Sequence, residues 1–205
     1  MKQQDRAIRM KNRIHAIGYQ EFGQKNYSAV STDELCKKGG FSKGSLYHYY
    51  KSKDELYLAL AKDCFQRIID YLKQNLDQSQ SAEDMVVQYF RHRMEYFSTY
   101  PDLQALYYQI MTSPPLHLAD EVAKLKAPYI SYNCSILDRY IQTQKLRPGI
   151  SKQEALNFFL FCQDYVNRSV LAKYRGSENN YICDELCVHW MNIFLYGILD
   201  ASHPT

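Results

Sequence analysis

In the stretch FSKGSLYHYYKSK, residues 41–53, three lysines, three tyrosines and a histidine crowd around Gly44 and Ser45. Lysine supplies a point charge for phosphate, while phenol and imidazole tips supply hydrogen bonds to a sugar-phosphate backbone or to base edges. Small residues such as Gly44 and Ser45 let a backbone approach a partner closely. A protein core has little use for so much cation, so the stretch points outward, to a polyanion. Lys43 and Lys53 are its candidates for phosphate, and Tyr47, His48 and Tyr49 its candidates for polar contacts.

The charge distribution agrees. The 205-residue chain has a formal net charge of +3, yet residues 1–56 carry +5 and residues 57–205 carry −2. A basic end on an otherwise near-neutral chain fits a nucleic-acid partner at that end.

The elements that must hold these residues are helical. Ile8, Ile14, Ile17, Gly18 and Phe22 recur at helical spacing over 5–22, and Gly23 with the polar QKN predicts the end of that helix. Ser31 stands three residues before Glu34, a capping-box pattern that opens a short helix over 32–38. Gly39-Gly40 stops it, because glycine takes the left-handed conformation that ends helices. A third helix is predicted over 42–50, and Ser52 caps a fourth that has Asp54 and Glu55 in its first turn. Further helices are predicted near 82–99, 102–112, 119–145, 151–174 and 181–200. Eight glycines and six prolines leave little room for the turns of an all-β chain. The fold class is all-α, and the two short helices across a glycine turn follow the helix-turn-helix plan, with 41–53 holding the recognition helix.

On these residues the chain resembles the tetracycline-repressor (TetR) family. The run YSAVSTDELCKKGGFSKGSLYHYYKSKDEL carries Gly40, Ser42-Lys43-Gly44, Leu46-Tyr47, an aromatic Tyr50, Lys53 and Leu56 in the family's register. Residues 8–56 look like its DNA-binding domain. Departures are Cys36 and Gly39 for alanines, Phe41 for a β-branched residue and Tyr50 for phenylalanine. The resemblance implies that Thr32, Lys43, Tyr47, Tyr49 and Lys53 meet phosphates, and that Ser42, Gly44, Ser45 and His48 lie at or near bases. It implies a DNA-binding domain over 1–52 and a ligand-binding and dimerisation domain over 53–205. It further implies a dimeric regulator, commonly a repressor, that grips a palindromic double-stranded operator and releases it when a small effector binds.

Residues 57–205 hold fourteen of the nineteen tyrosines. Buried hydroxyls need partners, so such an excess suits a cavity for an amphipathic or aromatic ligand as well as a core of large side chains. Tyr96, Tyr107, Tyr108, Met111 and Gln163, on helices that the family places around its cavity, are the expected lining. The segment ALNFFLFCQDYVNRSVL (155–171) and the last helix are apolar on more than one side, which one core cannot cover. Phe158, Phe159, Cys162, Trp190, Phe194 and Ile198 are therefore expected at a homodimer contact.

Other chemistries find less support. There is no glycine-rich phosphate loop after a strand, no His-Glu-x-x-His and no strand-turn-helix serine, so an enzyme is not expected. The alternative is a helical enzyme, or a redox- or metal-sensing regulator using the cysteines. Cys183 and Cys187 share a helix face, but His189 points away from it and structural zinc takes four ligands. No metal and no cofactor is expected. Without a secretory apolar run or a spanning segment, a soluble cytoplasmic protein with no membrane partner is expected. Effector, operator sequence and target genes are not written in one sequence.

Overall fold

The computed structural model describes residues 2–77, 79–174, 189, 193–194 and 197–198. They form α1 (Lys2–Gln24), α2 (Thr32–Gly39), α3 (Lys43–Tyr49), α4 (Lys53–Asn75), α5 (Ala82–Thr99), α6 (Pro101–Thr112), α7 (Ala119–Ile141) and α8 (Lys152–Tyr174). Residues 189, 193–194 and 197–198 are helical as well, and no extended strand occurs among the described residues. No described helix is long and apolar enough to cross a membrane.

The chain divides into two compact units, one of residues 1–66 with 100–126, the other of 67–99 with 127–205. In the first, α1 packs against the start of α4 and against α6. Ile14 and Phe22 of α1, Leu60 of α4 and Leu106 of α6 are each no more than 1% exposed. Two glycines permit the close approach. A Cβ at Gly18 would stand 2.6 Å from Leu60 Cδ1, and one at Gly23 would stand 3.0 Å from the Asp102 carbonyl. Gly23 therefore lies inside α1 as a contact point, and the helix runs one residue past it. Gln109 Nε2 donates to the Gly23 carbonyl at 2.6 Å, fixing α6 to that end of α1. Ile8 is 55% exposed, so the buried stripe of α1 starts later than the apolar spacing indicates.

The second unit packs the end of α4, α5, most of α7 and α8 around Leu72, Met85, Tyr89, Tyr129, Leu137, Phe159 and Val166. Helix α7 runs unbroken through Pro128 and stops at Ile141, short of the expected 145. Thr143 N–H bonds to Tyr140 and Gln144 N–H to Ile141, three-residue turns that close the helix early.

Candidate nucleic-acid interface

Helix α2 starts at Ser31, whose hydroxyl accepts from Asp33 N–H at 3.2 Å. The capping box does not close, because the Glu34 carboxylate turns to Lys25 Nζ at 2.8 Å. Lys25 also reaches Glu21 at 2.9 Å, and Lys38 of α2 bonds the same buried carboxylate. Burial alone would raise the Glu21 carboxyl, but hydrogen bonds from Lys38 and Lys25 outweigh it and hold the group below its ordinary value. These ion pairs lock α2 onto α1.

The turn that follows is built by two glycines with different duties. A Cβ at Gly39 would overlap the Phe41 ring, and Gly40 adopts φ +59°. Gly40 N–H bonds to Lys37 and Phe41 N–H to Cys36 at 3.1 Å, which satisfies the last carbonyls of α2. Ser42 then caps α3, accepting from Ser45 N–H at 3.0 Å and donating to Ser45 Oγ at 3.1 Å. Leu46, 2% exposed, and Tyr50, 5% exposed, fasten α3 to the unit. The Tyr50 hydroxyl stands 2.6 Å from His15 Nε2. Burial, with the Asp63 and Glu55 carboxylates, pushes that hydroxyl up to about 12.

This anchoring presents Ser42, Lys43, Gly44, Tyr47 and His48 to solvent, with Ser45 and Tyr49 half-buried beside them. Gly44 differs from its neighbours in the turn. A Cβ there would meet only Ser42 Oγ, at an ordinary 3.7 Å. Nothing within the chain requires a glycine at this position, although glycine costs a helix about 1 kcal/mol against alanine. Lys43 Nζ lies 2.5 Å from Asp33 Oδ1 with both side chains more than half exposed. The hydrogen bond to Asp33 raises the Lys43 pKa, so the cation persists, and a pair this exposed is weak enough for a phosphate to replace. Thr32 is half-buried at the first position of α2.

Lys53 behaves differently from Lys43. Its Nζ donates to the Tyr27 carbonyl at 3.0 Å and the Val30 carbonyl at 3.1 Å, and sits 4.2 Å from the Tyr27 ring centroid. It straps the 3-10 turn Tyr27–Ala29 to the start of α4. Asp54 beside it accepts from the Tyr27 hydroxyl and from His117 Nε2 at 3.2 Å. The Tyr27 bond, then that of His117, holds the Asp54 carboxyl below its usual range. Sequence reading missed this strap, since it depends on carbonyls brought round by the turn. Arg6, Arg9, Lys11, Arg13, Lys37 and Lys51 are further exposed cations in this unit.

The expected effector residues fall in both units. Tyr107, Tyr108 and Met111 lie in the first, where the two tyrosines are at most 1% exposed and Met111 is half-buried. Phe65 and Tyr108 meet the Tyr107 ring at centroid distances of 6.3 and 5.3 Å. Tyr96 and Gln163 are buried in the second unit. A cavity there is lined by Val86, Tyr89, Phe90, Asn133, Ile136, Leu137 and Phe159, none of them in the expected set.

Of the residues expected at a dimer contact, Phe158 is 43% exposed and Cys162 half-buried. Phe159, Phe194 and Ile198 are already buried within the single chain. Trp190 lies outside the described residues. Phe161, Tyr165 and Ile193 are exposed instead. Phe158, Phe161 and Tyr165 recur at i, i+3 and i+7, a helical stripe readable from spacing alone. Among the described residues no cluster of three or more histidine, cysteine or acidic side chains could hold a metal, and Cys183 and Cys187 lie outside them. Cys36, Cys64, Cys134 and Cys162 are in no disulfide; burial pushes the thiols of Cys36, Cys134 and Cys162 up, away from reactive thiolate.

Comparison with known proteins places this geometry. Residues 16–60 match the model of bacterial regulatory proteins of the tetR family. The chain is 29% identical over 105 residues to the biofilm operon negative transcriptional regulator IcaR of Staphylococcus epidermidis, covering 51% of this chain and 55% of IcaR. It is 30% identical over 129 residues to the transposon Tn10 TetC protein of Escherichia coli, 62% of each. The chain thus spans little more than half the length of these curated relatives. Among solved structures, the regulator FadR of Bacillus subtilis in complex with stearoyl-CoA superposes with a TM-score of 0.74 at 14% identity, over 91% of this chain and 98% of that one. The regulatory protein TetR of Rhodobacter sphaeroides gives 0.70 at 17% identity, over 92% and 98%. At such identities the structural likeness speaks for the fold.

Proposed function

The chain belongs to the TetR family of bacterial regulatory proteins, and on that premise we propose that it is a one-component transcriptional repressor. Two copies grip a palindromic operator, and a small amphipathic effector releases them. The observation that carries the reading is Gly44: exposed on α3 between Lys43 and Ser45, it answers no packing need inside the chain. A flat spot flanked by a cation and a hydroxyl suits a surface that must meet a DNA groove closely.

In this reading Lys43, Tyr47 and Tyr49 hold phosphates, and Ser45 and His48 work at the bases. Thr32 at the start of α2 meets the flanking backbone. Ser42 acts first as the cap that aims α3. Lys53 acts through the strap, and exposed Lys51 takes the phosphate-facing part. DNA reading resides in residues 1–52, with effector binding and dimerisation in 53–205. The stripe Phe158, Phe161, Tyr165, joined by Ile193, meets the same stripe of a second copy about a two-fold axis. The stearoyl-CoA of the FadR neighbour, an apolar chain with a polar head, supports an amphipathic effector for this fold. Such a protein works by binding rather than catalysis, in the cytoplasm where its DNA lies.

Selection from random duplexes tests the proposal. It is expected to enrich an inverted repeat whose half-sites lie about 34–36 Å apart, one turn of DNA, or a multiple of that. Recovery of unenriched duplexes would refute it.

A further inference from the structure

Inside the second unit, three helices contribute buried polar side chains to one neighbourhood. On α5, Tyr89 and Arg93 stand one turn apart, 1% and 4% exposed. On α7, Asn133 is 1% exposed, and its Oδ1 accepts from the Tyr89 hydroxyl at 2.7 Å. On α8, Gln163 and Asn167 stand one turn apart, 7% and 0% exposed, and Asn167 Oδ1 accepts from the Arg93 guanidinium at 3.3 Å.

With the amide oxygens of Asn133 and Asn167 engaged, their Nδ2 atoms are left buried without a hydrogen-bond partner, as is Gln163 Nε2. A buried donor without a partner costs free energy, and these three amide nitrogens stand in a unit where Tyr132 Oη and Asp138 Oδ1 also lack a hydrogen bond. All three open positions are N–H donors, and Arg93 adds a donor-only cation. The three amide nitrogens are thus short of acceptors. Beside it lies the cavity bounded by Tyr89 and Asn133 together with Val86, Phe90, Ile136, Leu137 and Phe159. As it stands the cavity has room for about one water molecule, so a larger guest must part these side chains.

We propose that the second unit binds a carboxylate with an apolar body. Its carboxylate is received by Arg93 and the amide nitrogens of Asn133, Gln163 and Asn167, and its body lies against Val86, Phe90, Ile136, Leu137 and Phe159. This deepens the effector reading given above and rests on it. Both oxygens of a carboxylate accept, with about four lone-pair sites between them, which matches a set of unpartnered amide donors. A neutral alcohol would bring a further donor and a single oxygen.

The test titrates the full-length protein with dodecanoate, methyl dodecanoate and dodecanol, reading affinity by calorimetry and, separately, affinity for a mixed-sequence DNA duplex. Dodecanoate is expected to bind about 30-fold more tightly than dodecanol, the scale of charge-assisted hydrogen bonds, with the ester between them. Gln163→Leu supplies the control for folding. Replacing an amide whose nitrogen has no partner by an apolar side chain of similar size leaves the thermal midpoint unchanged or raises it, while the preference for dodecanoate shrinks. Equal affinities for the three probes, no binding of dodecanoate, or a preference untouched by Gln163→Leu would each overturn the proposal. A chain that binds duplex but not dodecanoate retains the regulator reading without this ligand class. A chain that binds dodecanoate but no duplex loses the DNA reading instead.

Discussion

Helix α3 exposes Lys43, Gly44, Tyr47 and His48 to solvent, whereas the second unit encloses Arg93, Asn133, Gln163 and Asn167. The first set is contiguous in the chain and needs one helix, one cap and one turn to be displayed. The second comes from three helices across more than seventy residues and exists only once they pack. In the proposed reading a partner of fixed chemistry, DNA, is met by the local set, and a partner that varies between regulators is met by the assembled one. On that reading, specificity for an effector would drift through packing while the outward helix kept its form.

The contrast between inside and outside is tested most severely by setting buried Phe194 against Phe161 of the exposed α8 stripe. Phe194→Asp should unfold the chain at ordinary temperature, since Phe194 is 1% exposed and loss of such a ring alone costs about 3–5 kcal/mol. Phe161→Asp, at a position 68% exposed, should leave the monomer folded by circular dichroism. Light scattering should then show a monomer for this variant and a dimer for the wild type.

A smaller effect separates the glycines of the turn. Gly39→Ala must displace the Phe41 ring and should lower stability by about 1–3 kcal/mol in urea unfolding.

Next come the two lysines. Lys53→Met removes the bonds to the Tyr27 and Val30 carbonyls and should cost about 1–3 kcal/mol of stability, with the salt dependence of DNA binding nearly unchanged. Lys43→Ala should leave stability within about 0.5 kcal/mol and lower the salt slope by roughly one unit. Equal salt slopes for the two variants would erase the distinction drawn between them.

The smallest effect is the pH response of the α1–α2 lock. The Glu21 carboxyl ionises below its ordinary value of 4.5 in the folded chain. Its pairs with Lys38 and Lys25 thus contribute fully above that value and are lost as pH falls through the lower folded-state value. Glu21→Gln should be less stable near neutrality, and its loss of stability on acidification should be shallower.

The fold was legible because its signals are local. Ser31, Ser42 and Ser52 do cap α2, α3 and α4, and Gly40 does take the left-handed turn. The limits of such reading are equally physical. Lys53 reads as one more cation beside Lys43, and only the 3-10 turn at Tyr27–Ala29 shows that carbonyls claim it. Phe194 reads as a second apolar face, and only the rings of Phe158 and Phe159 at 5.8 and 5.7 Å show that its own chain covers it. Gln163 was singled out from sequence, but its neighbours Arg93, Asn133 and Asn167 were not. Helical periodicity tells which side of a helix is buried and not which other helix it meets.

The central claim is that α3 is shaped for DNA rather than for its own fold, and Gly44→Leu tests it most directly. Fluorescence anisotropy with a selected duplex, run beside thermal unfolding of the same samples, gives both readouts. The account predicts an unchanged or slightly higher thermal midpoint, because the site has room and leucine favours helix by about 0.8 kcal/mol over glycine. It predicts with this a loss of DNA affinity of at least about 100-fold, the scale of a few lost contacts of about 1–3 kcal/mol each. Wild-type affinity in a fully folded Gly44→Leu protein would contradict it.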